Sequence, residues 1–269
     1  KRLFYVEREK IFFKKFRIEL KMQLIILSGA SSDIAKAYFN ELHNKLTDAI
    51  IVTLSRSDFD NSFNSTTQHN VRHQHFITDY SDASLAVVAT ELARYDTPLS
   101  QLMIFNGMLH NSDHAPERKL SDISQAHFID SMKTNALLPI ACVNAFVPLL
   151  NRKTPSVICA LSARVGSISD NKLGGWYSYR ASKAALNMLF KSAAIEIKRR
   201  FQHNHCVLFH PGTTDTPLSK PFQANVPADK LFTPEFVAKQ LYKFVADTHF
   251  LSQLDNPAYI DWQGKTIDW

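Results

Sequence analysis

Gln23-Leu24-Ile25-Ile26-Leu27-Ser28-Gly29-Ala30-Ser31-Ser32-Asp33-Ile34-Ala35 is the stretch whose reading decides the fold. Residues 23–27 form a near-continuous apolar run, the pattern of a strand buried on both faces. Small residues follow from Ser28 to Ser32, and a helical pattern opens at Ser32 and runs to about residue 45. A strand that turns through small residues directly into a helix is the opening unit of a parallel sheet.

The same alternation continues downstream. Apolar runs at 49–54, 75–77, 102–105, 157–161 and 206–209 predict further strands, the one at 75–77 being short. Helical patterns lie between and after them at 83–95, 123–150, 177–201 and 234–248, with Pro139 interrupting the second. Strands apolar on both faces require helices on both sides. The expected fold class is therefore α/β, a doubly wound parallel sheet of Rossmann type in one domain over residues 22–269.

Composition agrees with a packed domain: 269 residues, 45% of them hydrophobic and 21% charged. The net charge of +6 is unevenly spread, because residues 1–21 hold eight Lys/Arg against three Glu and so carry five of the six charges. What remains is nearly neutral, and no nucleic-acid partner is expected. The basic segment reads as an extension ahead of the domain, upstream of a start at Met22; the other reading is an amphipathic helix on a membrane surface. No apolar stretch looks long enough for a membrane span, and membrane contact is not expected. Cys142, Cys159 and Cys206 sit in apolar runs without paired spacing, which favours reduced thiols and a cytoplasmic location. The eleven histidines are scattered, and no metal site is expected.

The turn after the first strand suits a dinucleotide. Its backbone must bend tightly and bring N–H groups to a pyrophosphate, and the helix N-terminus adds a favourable field. Gly29, Ser31, Ser32 and Ile34 are the candidate contacts; a turn of this kind without a cofactor is the alternative. Asp33 is an awkward neighbour for phosphates unless it points away or caps the helix. The second strand ends Thr53-Leu54-Ser55-Arg56, with no acid to bind ribose hydroxyls, and Arg56 can pair with a 2′-phosphate. NADP is therefore expected over NAD, with a solvated loop arginine as the competing reading.

Tyr179-Arg180-Ala181-Ser182-Lys183 opens the helical pattern after the fifth strand, and its spacing puts Tyr179 and Lys183 on one helical face. Of eight tyrosines, Tyr179 alone has a lysine four residues on. An unperturbed tyrosine titrates at about 10, and an ammonium beside it is expected to lower that value and make the phenol an acid–base group.

These segments, taken in order, resemble the short-chain dehydrogenase/reductase family, and Ser-Ala-Arg-Val-Gly-Ser-Ile (162–168) with Gly174-Gly175-Trp176-Tyr177 is similar to its C-factor-like branch. The turn resembles the family's Thr-Gly-x-x-x-Gly-x-Gly loop, with Asp33 and Ala35 at the second and third glycines. The resemblance implies that Tyr179 and Lys183 are the catalytic pair, that Lys183 also holds the nicotinamide ribose, and that Asn135 anchors a water relay. It implies that Asp79 lies near the adenine, although a helix cap is its other reading. Asn106 and Gly107 stand where the family has Asn-Asn-Ala-Gly, with the first asparagines replaced by Ile104 and Phe105. Pro211, Gly212 and Thr214 match the segment over the nicotinamide. The catalytic serine is Ser162 counting forward from Asn135, whereas counting back from Gly166 reaches Ala163; Ser167 is the fallback. The gap to Tyr179 implies an insertion around 170–175.

The expected activity is hydride transfer between NADP and a small-molecule carbonyl or alcohol, with Tyr179 as proton donor and Ser162 stabilising the oxyanion. A dinucleotide-binding regulatory or signalling protein with little turnover is the alternative. Apolar residues spread around the helices at 123–150 and 177–201 fit either a homodimer or homotetramer interface or packing within one chain. Substrate determinants are expected at 110–119 and 217–232.

Overall fold

In the computed structural model, which describes residues 22–59 and 70–269, β1 (Gln23–Ser28) is buried at every residue after Gln23. Its side chains alternate between two cores, Leu24 and Ile26 entering one and Ile25 and Leu27 the other. α1 (Asp33–Lys45), β2 (Asp48–Ser55), β3 (Asn70–Ile77), α2 (Asp82–Leu92) and β4 (Leu99–Ile104) follow. α3 (Gln125–Met132) and α4 (Leu138–Phe146) are joined by a π-helical turn at Lys133–Leu137 and lead to β5 (Ser156–Leu161). The chain continues through α5 (Tyr177–Arg200), β6 (Asn204–His210), β7 (Thr213–Thr214), β8 (Leu231–Phe232), α6 (Pro234–Ala246), α7 (Thr248–Ser252) and β9 (Ala258–Asp261).

Seven strands form one sheet in the order β3-β2-β1-β4-β5-β6-β9, each neighbouring pair parallel. Leu85 of α2, Phe146 of α4 and Phe190 of α5 cover one face, while Tyr38 and Phe39 of α1 and Leu241 of α6 cover the other. The doubly wound sheet is thus the expected one. Chain order reverses between β1 and β4, so the loops leaving these neighbours diverge and open a crevice at their carboxyl ends. The expected basic extension, residues 1–21, lies outside the described residues.

Three features depart from the sequence reading. β3 begins at Asn70 rather than at 75, because an edge strand paired on one side with β2 keeps half-exposed polar residues that an apolar-run criterion skips. β9 was not anticipated: its four residues sit at the opposite edge, between Pro257 and Trp262. At Pro139 the helical run continues, with the irregularity displaced to the π-helical turn Lys133–Leu137 directly before it. The resulting run, Gln125–Leu149, has 25 residues and contains an 18-residue window of mean hydropathy 1.2, enough by length and composition to cross a bilayer, contrary to the reading of the sequence. In this fold its Ala136, Cys142, Val143 and Phe146 are packed in the core.

One buried polar pair ties a helix to the sheet. Tyr38 of α1 is fully buried and its hydroxyl donates to Gln101 Oε1 of β4 at 2.9 Å. Replacing Tyr38 by Phe leaves that oxygen without its donor, which is expected to cost about 1–3 kcal/mol. The double variant Tyr38→Phe/Gln101→Leu removes both partners and should recover much of the loss. Urea unfolding midpoints at unchanged slope check both values.

Candidate active site

A cleft of about 590 Å³ lies at the carboxyl ends of β1, β4, β5 and β6. The turn after β1 forms one side. Gly29 has φ +75°, and a Cβ there would lie 2.7 Å from the backbone N of Asn106, so the turn and the end of β4 touch as only glycine permits. Ser32 caps α1 by accepting from the Ala35 N–H at 3.3 Å. Gly29, Ser31, Ser32, Asp33 and Ile34 line the cleft with their helix start, and Arg56 lies exposed at the end of β2 on the same cleft. Asn106 and Gly107 continue the wall, with Asn106 Oδ1 accepting from Ser28 Oγ at 2.6 Å.

The segment after β6 forms the opposite side. Pro211, Gly212 and Thr214 line the cleft. Thr214 is buried, and its Oγ1 has no hydrogen-bond partner. A buried hydroxyl left unpaired, on a residue that lines the cleft, is an unmet demand for a polar atom. Together, the Gly29 turn, the start of α1, the exposed Arg56 and this hydroxyl fit a dinucleotide: donors for phosphates at one end, a polar group for an amide at the other.

Tyr179 and Lys183 line the floor from the first turns of α5, both buried. Lys183 Nζ donates to Leu161 O at the end of β5 at 2.8 Å and stands 5.8 Å from the centre of the Tyr179 ring. Burial pushes the Lys183 amine down to about 8. Burial, with Tyr259 adding, holds the Tyr179 phenol above its ordinary range, opposite to the lowering that the sequence suggested. The reason is geometric: the amine spends its short bond on a carbonyl, and desolvation of the phenolate prevails.

Asn135 lies in the π-helical turn and is fully buried. Its Oδ1 accepts from Met108 N at 2.7 Å, and its Nδ2 donates to Met108 O at 2.7 Å and to Ser182 Oγ at 3.0 Å. Ser182 Oγ donates in turn to Tyr179 O at 2.9 Å. Asn135 thus joins the loop after β4 to α5 through its side chain.

Ser162 lines the cleft, but its hydroxyl donates to Asn187 Oδ1 at 2.6 Å. Ser167 is buried away from the cleft lining, where its Oγ meets Ser169 Oγ and accepts from Asp170 N. Asp79 also lies outside this cleft. Its carboxylate accepts from the N–H and Oγ of Ser81, and Ser81 in turn caps α2 by accepting from Ser84 N.

Several residues at the site carried no sequence signal. Tyr80, at φ 64°, accepts from Gly29 N at 3.0 Å and donates to Leu54 O at 2.8 Å, bracing the turn against β2. Tyr259 of β9 donates to Ala163 O at 2.6 Å, and Asp261 pairs with Arg164 at 3.2 Å. Glu117, 2% exposed, accepts from Ser178 N and Ser178 Oγ at the start of α5. Their partners lie 26 to 97 residues away in sequence, beyond any local pattern.

Similarity to known proteins follows the same lines. C-signal of Myxococcus xanthus is 32% identical over 150 residues, covering 56% of this chain and 83% of that protein. The 1-hydroxy-2-glutathionyl-2-methyl-3-butene dehydrogenase of a Rhodococcus species is 28% identical over 228 residues, covering 82% of this chain and 90% of the other. A short-chain dehydrogenase/reductase of Burkholderia multivorans, solved with bound NADP, superimposes with a TM-score of 0.70 at 23% identity, covering 92% of this chain and 99% of that one. The carbonyl reductase Sniffer of D. melanogaster gives 0.72 at 20% identity, covering 92% and 100%. These likenesses agree with a match of residues 23–227, most of the chain, to the model of the short chain dehydrogenases. The chain belongs to the short chain dehydrogenase family.

Proposed function

We propose that this chain is an NADP-dependent oxidoreductase that interconverts a small-molecule carbonyl and an alcohol, with Tyr179 and Lys183 as its acid–base pair. The observation that carries this reading is the convergence of a buried phenol, a buried amine and an unpartnered threonine hydroxyl on one cleft at the point where strand order reverses. Structural neighbours described with bound NADP or as an NADPH-bound carbonyl reductase support it.

When bound, the nicotinamide supplies the hydride. The residues 29–34 and the N-terminus of α1 would hold the pyrophosphate, Arg56 the 2′-phosphate and Thr214 the carboxamide, with Lys183 on the ribose. Tyr179 keeps its proton at Oη at neutral pH, because burial raises its phenol, and it is therefore set to donate to a carbonyl oxygen. Ser162 is the proposed donor to the developing oxyanion. To act, its hydroxyl turns away from Asn187. Asn135 holds Met108 and Ser182 in register with the phenol's own backbone. On the outer surface, Phe128, Ile129, Leu137, Met188 and Ile195 are exposed on α3, the π-helical turn and α5, which supports a homodimer or homotetramer.

A second reading, a dinucleotide-binding regulator with little turnover, is favoured by one observation: the Ser162 hydroxyl is already committed to Asn187. Titration with NADPH together with a carbonyl panel separates the two, since the regulator binds the coenzyme and oxidises none of it.

Replacing Tyr179 by Phe is expected to lower turnover by about 10²- to 10⁴-fold, while NADPH binding followed by fluorescence stays near the unaltered value. Full turnover in that variant removes the acid–base assignment. Arg56→Ala is expected to weaken NADPH binding by about 10- to 100-fold, the worth of a charge-assisted bond, and to leave NADH binding unchanged. An equal effect on both coenzymes argues against a 2′-phosphate contact. The pH dependence follows from Lys183: its ammonium is present below about 8 and lost above it. The kcat/KM for carbonyl reduction should accordingly be level on the acid side and fall as pH rises through that value, checked by initial rates between about pH 6 and 10.

A further inference from the structure

α5 starts without a cap of its own. Trp176, the residue before it, is left-handed at φ 52° and offers no side-chain acceptor to the first turn. A helix start leaves backbone N–H groups that need partners, the more so when the turn is buried. Here the acceptors come from 61 residues earlier: the Glu117 carboxylate takes the Ser178 N–H at 3.2 and 3.3 Å and the Ser178 hydroxyl as well. Glu117 O accepts from Trp176 N at 2.6 Å. None of the described ion pairs includes Glu117, so its buried charge is met by these donors and by the positive end of the helix.

The loop that carries Glu117 is held at its other end by Asn135, which grips both the N–H and the carbonyl of Met108. Between the two anchors, Leu109 lines the cleft and His110 packs edge-on against Phe222, which packs in turn on Trp176. Both anchors reach the phenol's backbone: Asn135 through Ser182 to Tyr179 O, and Glu117 at Ser178, the residue before Tyr179.

Resting on the assignment of Tyr179 as proton donor, we infer that Glu117 is a positioning residue: its carboxylate caps α5 and ties the loop of residues 108–117 to that helix, fixing where the phenol stands in the cleft. The residues assigned to the coenzyme phosphates lie on the turn after β1 and at the end of β2, away from this latch. Lys183, assigned to the ribose, is held on its own by Leu161 O, so the effect of Glu117 falls on turnover far more than on coenzyme affinity.

The test uses the full chain and the carbonyl compound that the unaltered protein reduces fastest with NADPH. Glu117→Ala is expected to lower kcat by about 10- to 100-fold, the effect of a reacting group displaced by an ångström or so. The NADPH dissociation constant should hold within about twofold, and Glu117→Gln, which keeps one acceptor oxygen, should recover part of the rate. In a Tyr179→Phe background, Glu117→Ala should cause no further loss, since it works through the phenol. A merely structural anchor predicts losses that multiply; that result, or an unchanged kcat in Glu117→Ala, overturns the inference. If circular dichroism shows Glu117→Ala unfolded, Glu117→Gln and Ser178→Ala carry the same comparison, and multiplicative losses there overturn it equally. Full turnover in Tyr179→Phe, or no carbonyl reduced by the unaltered protein, sinks the functional reading itself and takes this inference with it.

Discussion

An amine held at 3% exposure is the constraint around which the site is organised. Lys183 must shed water to lie in the floor of the cleft, and burial alone depresses its basicity. It survives there because Leu161 O, at the end of a strand whose last carbonyl has no further ladder partner required of it, accepts its proton at 2.8 Å. Such an acceptor exists where parallel strands end together, so the amine, the phenol one turn before it and the sheet's carboxyl edge come as one unit. Removing the sheet edge would leave a charge with nothing to meet it. The open crevice at the switch point then gives these two groups something to face.

That dependence explains which parts of the fold could be read from the chain. Central strands β1, β4, β5 and β6 are buried on both faces and appear as apolar runs with boundaries close to those observed. At the two edges the rule fails. β3 has one neighbour and solvent on the other side, and Asn70, Arg72, His73 and Gln74 are compatible with that position although they carry no apolar period. β9 is too short to show a period at all. Pro139 marks an interruption of another kind: the helix runs on through it, and the irregular bonding falls in the π-helical turn just before.

Legibility of the site divides by sequence distance. The turn at 28–35 and the Tyr179/Lys183 spacing are local, and the structure brings both to one cleft. Arg56, at the end of β2, lies on the same cleft. Asp79 closes a turn on the N–H and hydroxyl of Ser81, and Ser81 is the residue that caps the helix. Glu117, Tyr80 and Tyr259 act over 26 to 96 residues, and nothing short of the fold reveals their partners. The pitch of the phenol's acidity was misjudged for a related reason. Spacing gives the distance of an ammonium along a helix, but not the carbonyl that the ammonium prefers nor the depth of the phenol.

The ambiguity over the serine has a physical root in strand parity. Residues of β5 alternate between the two faces, so Ala160 enters the core under α5 and Leu161 packs against the other. Ser162 extends that alternation, its N–H still bonded to Phe209 O at 2.9 Å, and its side chain reaches α5. There it meets a stripe spaced by four residues, Tyr179, Lys183 and Asn187, all buried on one flank of the helix. Ala163, the competing position, spends its carbonyl on Tyr259 and has no hydroxyl to give. Of the two serines weighed, Ser162 therefore shares a helix flank with the phenol while Ser167 does not reach the cleft. What separates Ser162 from the role proposed for it is a choice between two acceptors: the Asn187 amide it now binds and the carbonyl oxygen that the proposed function puts beside Tyr179. A hydroxyl rotates between acceptors at little cost when the new one carries developing negative charge. In that proposal the bond to Asn187 is a resting contact, released by rotation about the serine Cβ–Oγ bond.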